Sequence, residues 1–117
     1  MPESAGVIPA AIAEKLGVRP DVVARANVHL DRWLSDSAFA EYRPLLQNLV
    51  AAERWNLLID SFWQVMPFGT GGRRGPVGLG PNRFNAYTLA ASVQGHVAFL
   101  RESAGSGRLH VVIAYDV

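Results

Sequence analysis

Cysteine is absent from this chain, which excludes a disulfide framework and any thiolate metal site. No apolar run approaches the roughly 20 residues needed to cross a bilayer. The opening Met1-Pro2-Glu3-Ser4 lacks the basic start of a secretory signal. A cytoplasmic protein with no membrane partner is the expectation. Charge is also scarce: 18% of residues are charged and the formal net charge is +1, so the balance gives no footprint for nucleic acid. The three histidines, His29, His96 and His110, have no partner at metal-ligand spacing and read as surface or packing residues. Half of the 117 residues are apolar, enough for one globular domain at most.

Glycine, by contrast, is concentrated. Six of the eleven glycines fall in the twelve positions from Gly69 to Gly80, within Phe68-Gly69-Thr70-Gly71-Gly72-Arg73-Arg74-Gly75 and the following Pro76-Val77-Gly78-Leu79-Gly80-Pro81-Asn82-Arg83-Phe84-Asn85. Glycine is costly in ordinary helices and strands, so such a cluster marks backbone that turns sharply or lies close to something. Freed amides beside guanidinium groups suit an anionic oxygen cluster such as a phosphate. A glycine- and arginine-rich surface turn that binds nothing is the competing reading. The Walker lysine is missing, since no Gly-Lys-Ser/Thr follows, and no acidic residue ends a next strand as a dinucleotide fold requires.

The order of these pieces resembles the start of the first domain of the α-D-phosphohexomutases, the phosphosugar mutase superfamily. There Phe-Gly-Thr-x-Gly-x-Arg-Gly leads into Gly-x-Gly-x-Asn-Arg-x-Asn and a long helix. Here the matching residues are Phe68 to Gly75, then Gly78, Gly80, Asn82, Arg83 and Asn85. Tyr87-Thr88 and Gln94-Gly95 follow, and Val111-Val112-Ile113-Ala114-Tyr115-Asp116 matches the family's next strand. The Gly71-Gly72 doublet and the helical leader point to the α-phosphoglucomutase and phosphopentomutase branch. The resemblance runs from about residue 30 to residue 117.

What the resemblance implies is an α/β fold. A helical N-terminal leader over 1–64 precedes 65–117, the start of domain I of a three-layer α/β/α mutase, with its first βαβ unit. The implied activity is reversible phosphoryl transfer between sugar 1-phosphate and 6-phosphate, or pentose 1- and 5-phosphate, through a phosphoserine and a bisphosphorylated sugar. Mg²⁺ and a sugar bisphosphate activator are implied for the complete enzyme. Arg74 aligns with the family's active-site arginine, beside the phosphoserine and the substrate phosphate. Thr70 and Gly71 would shape the same loop. Arg73 stands where the branch usually has leucine and reads as solvent-facing. Arg83 reads as structural, holding the start of the helix against the glycine loop. None of the seven serines is followed by His-Asn, so the donor loop is not in this chain, nor is the Asp-Gly-Asp-x-Asp-Arg metal loop. No catalytic residue and no metal ligand is therefore assigned here. The expected partners are a phosphosugar and the remaining mutase domains, in cis or as another chain completing the sheet. The alternative is a non-catalytic truncated or split paralogue that binds a phosphosugar or acts in assembly. A helical interaction protein built on residues 20 to 64 ranks last, because it leaves the glycine-rich stretch unexplained.

Helical spacing supports the leader. A short helix is expected over about Pro9 to Leu16, stopped by Gly17, and a second from Pro20-Asp21, with proline in the first turn. Val22, Ala26, Leu30, Trp33 and Leu34 form its apolar stripe. Ser35-Asp36-Ser37 breaks the pattern, and Pro44 splits or kinks the segment of Phe39, Tyr42, Leu45, Leu46 and Leu49. Trp55, Leu58, Ile59 and Phe62 share a face, with Asp60 turned away. Trp33, Trp55 and Trp63 read as packing residues. Asn82 is the expected cap of a helix reaching about Arg101, with Thr88, Ala91, Ser92 and Gly95 along one side. Val111 to Tyr115 reads as a parallel strand covered on both faces, with Asp116 at its end. A chain stopping there reads as the front of a longer protein.

Overall fold

The computed structural model describes residues 6–69, 72–105 and 107–115. They form helix α1 (Ala11–Leu16), α2 (Pro20–Ser35), a 3₁₀ helix (Ser37–Tyr42), α3 (Arg43–Ala51), α4 (Trp55–Phe62) and α5 (Ala86–Ala104).

Local chemistry sets the boundaries. Gly17, in the left-handed region at φ 68°, ends α1. Pro20 opens α2, followed at once by Asp21, an acidic side chain favourable at a helix N-terminus. The Asp36 carboxylate accepts from the amide of Ala38 at 2.9 Å and starts the 3₁₀ turn. The segment around Pro44 is split, as expected, into the 3₁₀ helix and α3: Pro44 lies in the first turn of α3, where its missing N–H would have had no intrahelical partner.

α2 is the central element, packed against α1, α3, α4 and the 3₁₀ helix. Its buried side chains are Val23, Ala26, Leu30 and Trp33, with Val22 and Leu34 partly buried against the same core, so Val23 joins the expected stripe. Trp33 lies under four aromatic rings, stacked on Phe39 at 4.3 Å and edge-on to Phe62 at 5.4 Å. Tyr42 and Tyr87 complete the cluster. Trp55 and Trp63 are partly buried against the same core.

The α/β expectation is overturned. Among the described residues there is no sheet and no βαβ unit, and the fold is helical. β-pairing is confined to two isolated bridges, Gly69 with Gly72 and Val77 with Phe84. Val111 to Tyr115 pairs with nothing in the described structure, and Val112 is 94% exposed. The physical reason is plain. A short β-branched run fits a buried strand, but a strand exists only where a neighbour takes its backbone hydrogen bonds, and periodicity does not supply the neighbour. No helix among the described residues is long and apolar enough to cross a membrane.

Candidate functional site

The glycine-rich segment joins α4 to α5, and its second half is fixed by a hydrogen-bonded block. α4 ends with carbonyl groups that have no partner within the helix. The segment supplies partners for two of them. The Asn82 side-chain amide donates to the Asp60 carbonyl at 2.9 Å, and the Asn82 backbone amide donates to that of Ser61 at 3.0 Å. His29 Nδ1 donates to the Phe62 carbonyl at 2.6 Å, tying α2 to the same helix end. Arg83 is 8% exposed and pairs with the Asp60 carboxylate, which is turned away from the apolar face of Leu58, Ile59 and Phe62 as expected.

Asn85, not Asn82, caps α5. Its side-chain oxygen accepts from the Thr88 amide at 2.9 Å, while the Thr88 hydroxyl accepts from the Asn85 amide at 3.0 Å, a reciprocal capping box. The Asn85 side-chain NH₂ donates to the carbonyls of Gly78 and Gly80 at 2.9 and 3.0 Å. Asn85→Ala removes the three side-chain bonds together and leaves only the backbone half of the capping box. It is expected to cost about 1–2 kcal/mol, the upper part of the range for a lost N-cap, read as a lower midpoint in urea unfolding.

Gly80 shows why this turn tolerates no side chain. It holds φ +107°, and a Cβ there would lie 2.4 Å from the Ser61 carbonyl oxygen. Gly80→Ala is therefore expected to destabilise the chain by more than about 1 kcal/mol, measured by thermal unfolding. Gly78→Ala, whose Cβ would meet only the Arg83 side chain at 3.6 Å, is expected to change the midpoint less.

The first half carries the arginines. Gly69 and Gly72 exchange backbone hydrogen bonds of 2.8 and 3.2 Å; Thr70 and Gly71 lie outside the described residues. Asp116 does too. Arg73 is half-buried, contrary to the solvent-facing expectation. Its guanidinium stacks over the Phe68 ring at 4.2 Å and donates to the Ser92 hydroxyl of α5 at 2.7 Å. Its Nε is buried without a hydrogen-bond partner. Arg74 is exposed, and none of the three ion pairs among the described residues involves it. Adjacent arginines thus split roles: Arg73 anchors the loop to α5, and Arg74 stands at the surface.

A cavity of about 830 Å³ opens between α2, the glycine-rich segment and α5, lined by Trp33, Phe68, Arg73, Ser92 and Phe99 among others. The contacts of Arg73 with Ser92, and of Asp60 with Arg83, join residues far apart in sequence. No spacing rule announces them. The described residues bring together no group of three His, Cys, Asp or Glu side chains able to hold a metal. His96 and His110 are exposed.

No protein-family model, no curated protein and no solved structure matches this chain.

Proposed function

We propose that this chain is the N-terminal portion of a phosphosugar mutase that interconverts sugar 1-phosphate and 6-phosphate, or pentose 1- and 5-phosphate, in the cytoplasm. Its contribution is an arginine loop. In this reading a phosphoserine from outside this chain gives its phosphoryl group to a sugar phosphate, and the bisphosphorylated sugar returns the other phosphate after turning over. Arg74 donates two parallel N–H bonds to phosphoryl oxygens, a fork geometry that a lysine ammonium lacks. Thr70 adds a hydroxyl and Gly71 an unobstructed backbone amide. The sugar bisphosphate activator belongs to the complete enzyme.

The single observation carrying the proposal is the division of labour around Arg74. Asn82, Arg83 and Asn85, the invariable letters of the resembled pattern, fasten one side of the segment to α4 and α5. Arg73 fastens the other side to Ser92. Arg74 is the one charged side chain in the exposed stretch 74–77 between the two anchors. A guanidinium held by rigid neighbours and itself unengaged is prepared for an anionic ligand.

The test is an assay of the protein isolated from its source cells with an antibody to this segment. Formation of glucose 6-phosphate from glucose 1-phosphate, or of ribose 5-phosphate from ribose 1-phosphate, is the expected result. A protein that converts neither, with or without added sugar bisphosphate and Mg²⁺, would remove the mutase reading. Retained binding of the sugar phosphates without turnover would leave a phosphosugar-binding module in its place.

A further inference from the structure

Two apolar surfaces on this chain have no partner, and they are neighbours in sequence. The first is the groove along α5. Only Thr88 of that helix is buried, while Phe99 is 64% exposed and borders the open cavity beside Trp33 and Phe68. At Gly95, in the middle of this face, a Cβ would meet nothing, so the wall is shallow there. The second surface is the segment after α5, where Val112, Ile113 and Tyr115 are 94%, 81% and 83% exposed. Exposed apolar side chains in contiguous runs are uncommon on a soluble surface unless something covers them.

We propose that residues 108–115 close over the α5 groove of the same chain as an apolar strap, seating Val111 to Tyr115 against Phe68, Gly95 and Phe99. Two glycines lie in the link between the two. Gly105 ends α5 at φ +70° and Gly107 follows at φ +138°, conformations that side-chain-bearing residues rarely adopt. Length permits the return. The nine residues from Ala104 to Ile113 span up to about 30 Å, whereas Gly95 lies about 14 Å back along the helix axis. So short a tether gives an effective concentration in the millimolar range, which favours the chain's own segment over that of a second copy. Charge agrees with the direction of seating. Among the described residues the groove is bordered by His29, Arg32, Arg73 and His96 and by no carboxylate. Arg108 and His110, the basic residues of the segment, stay next to the glycine hinge, and the uncharged Val111 to Tyr115 enters. This closure involves neither Arg74 nor any phosphosugar, so its thiol and fluorescence readouts are distinct from the mutase assay.

The absence of natural cysteine makes the test clean. The full chain carrying Gly95→Cys and Ile113→Cys is oxidised with copper-phenanthroline and examined by intact mass and thiol titration. The expected result is a monomer that has lost both thiols, while a control pairing Gly95→Cys with Ala52→Cys on the exposed end of α3 keeps them. Two free thiols in the test pair, or a disulfide joining two chains, would overturn the proposal. As a second measurement, Ile113→Asp should unseat the strap and raise the fluorescence of added 1-anilinonaphthalene-8-sulfonate several-fold, with the helical circular dichroism unchanged. Fluorescence equal to that of the parent chain would also count against the strap.

Discussion

Replacing Trp33 with alanine is expected to leave the chain largely unfolded at 25 °C. Trp33 is 2% exposed and is the one side chain that touches the rings of Phe39, Tyr42, Phe62 and Tyr87. Those four residues come from the 3₁₀ helix, α4 and α5, so a cavity at Trp33 opens at the point where three elements meet α2. Truncating a buried Trp or Phe costs about 3–5 kcal/mol, because the lost transfer energy is joined by unrelaxed cavity. A domain of this size is stable by only about 5–15 kcal/mol in total. The core here is small, and α5 adds little to it, since Thr88 is its only buried residue among those described. The balance therefore lies near the lower end. The readout is the helical circular dichroism signal in a urea titration. Trp33→Ala should show a midpoint close to zero denaturant, whereas Trp55→Ala, at a partly buried position, should keep a cooperative transition. A Trp33→Ala protein unfolding at the parent's midpoint would mean that the aromatic cluster does not organise this core.

The helical part of the fold was legible because its causes are local. Pro20, Asp36, Pro44 and Gly17 act within one turn of where they stand, and each marks a boundary in the structure. The apolar stripe of α2 was legible for the same reason, with Val23 joining it in the structure. Errors arose where the cause is not local. Asn82 has the side chain of an N-cap, but the chain needs it three residues earlier, on the end of α4, and Asn85 takes the cap. Arg73 looked solvent-facing because it stands where the resembled branch usually has leucine. Ser92 holds it from nineteen positions away. The run from Val111 to Tyr115 has the composition of a strand, and composition carries no partner with it. At the candidate site, the resemblance singled out Arg74 from the sequence; what the sequence did not mark is that its neighbour Arg73 is tied down.

The selection of Arg74 has its largest consequence in turnover. In the complete protein carrying this segment, Arg74→Ala is expected to lower kcat/KM for the sugar phosphate by about 10²–10³-fold, the scale on which removing one charge-stabilising donor acts. The thermal midpoint should not move, because Arg74 is exposed and takes part in none of the ion pairs among the described residues. Arg74→Lys keeps the charge and loses the fork, so it should fall between the parent and the alanine variant. Arg73→Ala supplies the contrast. It breaks the bond to Ser92 and the stacking on Phe68, so its effect should appear in the thermal midpoint, with a loss of kcat/KM smaller than that of Arg74→Ala. Pre-steady-state measurement divides the two further: a phosphate contact made chiefly in the transition state lowers kcat and kcat/KM together. If Arg74→Ala turned over at the parent rate, the loop would have a structural role only, and the phosphoryl group would have to be held by residues outside this chain. If Arg73→Ala alone abolished turnover with an unchanged midpoint, the two arginines would have exchanged the roles assigned to them, and the cavity beside Phe68 would be the place to look for the phosphate.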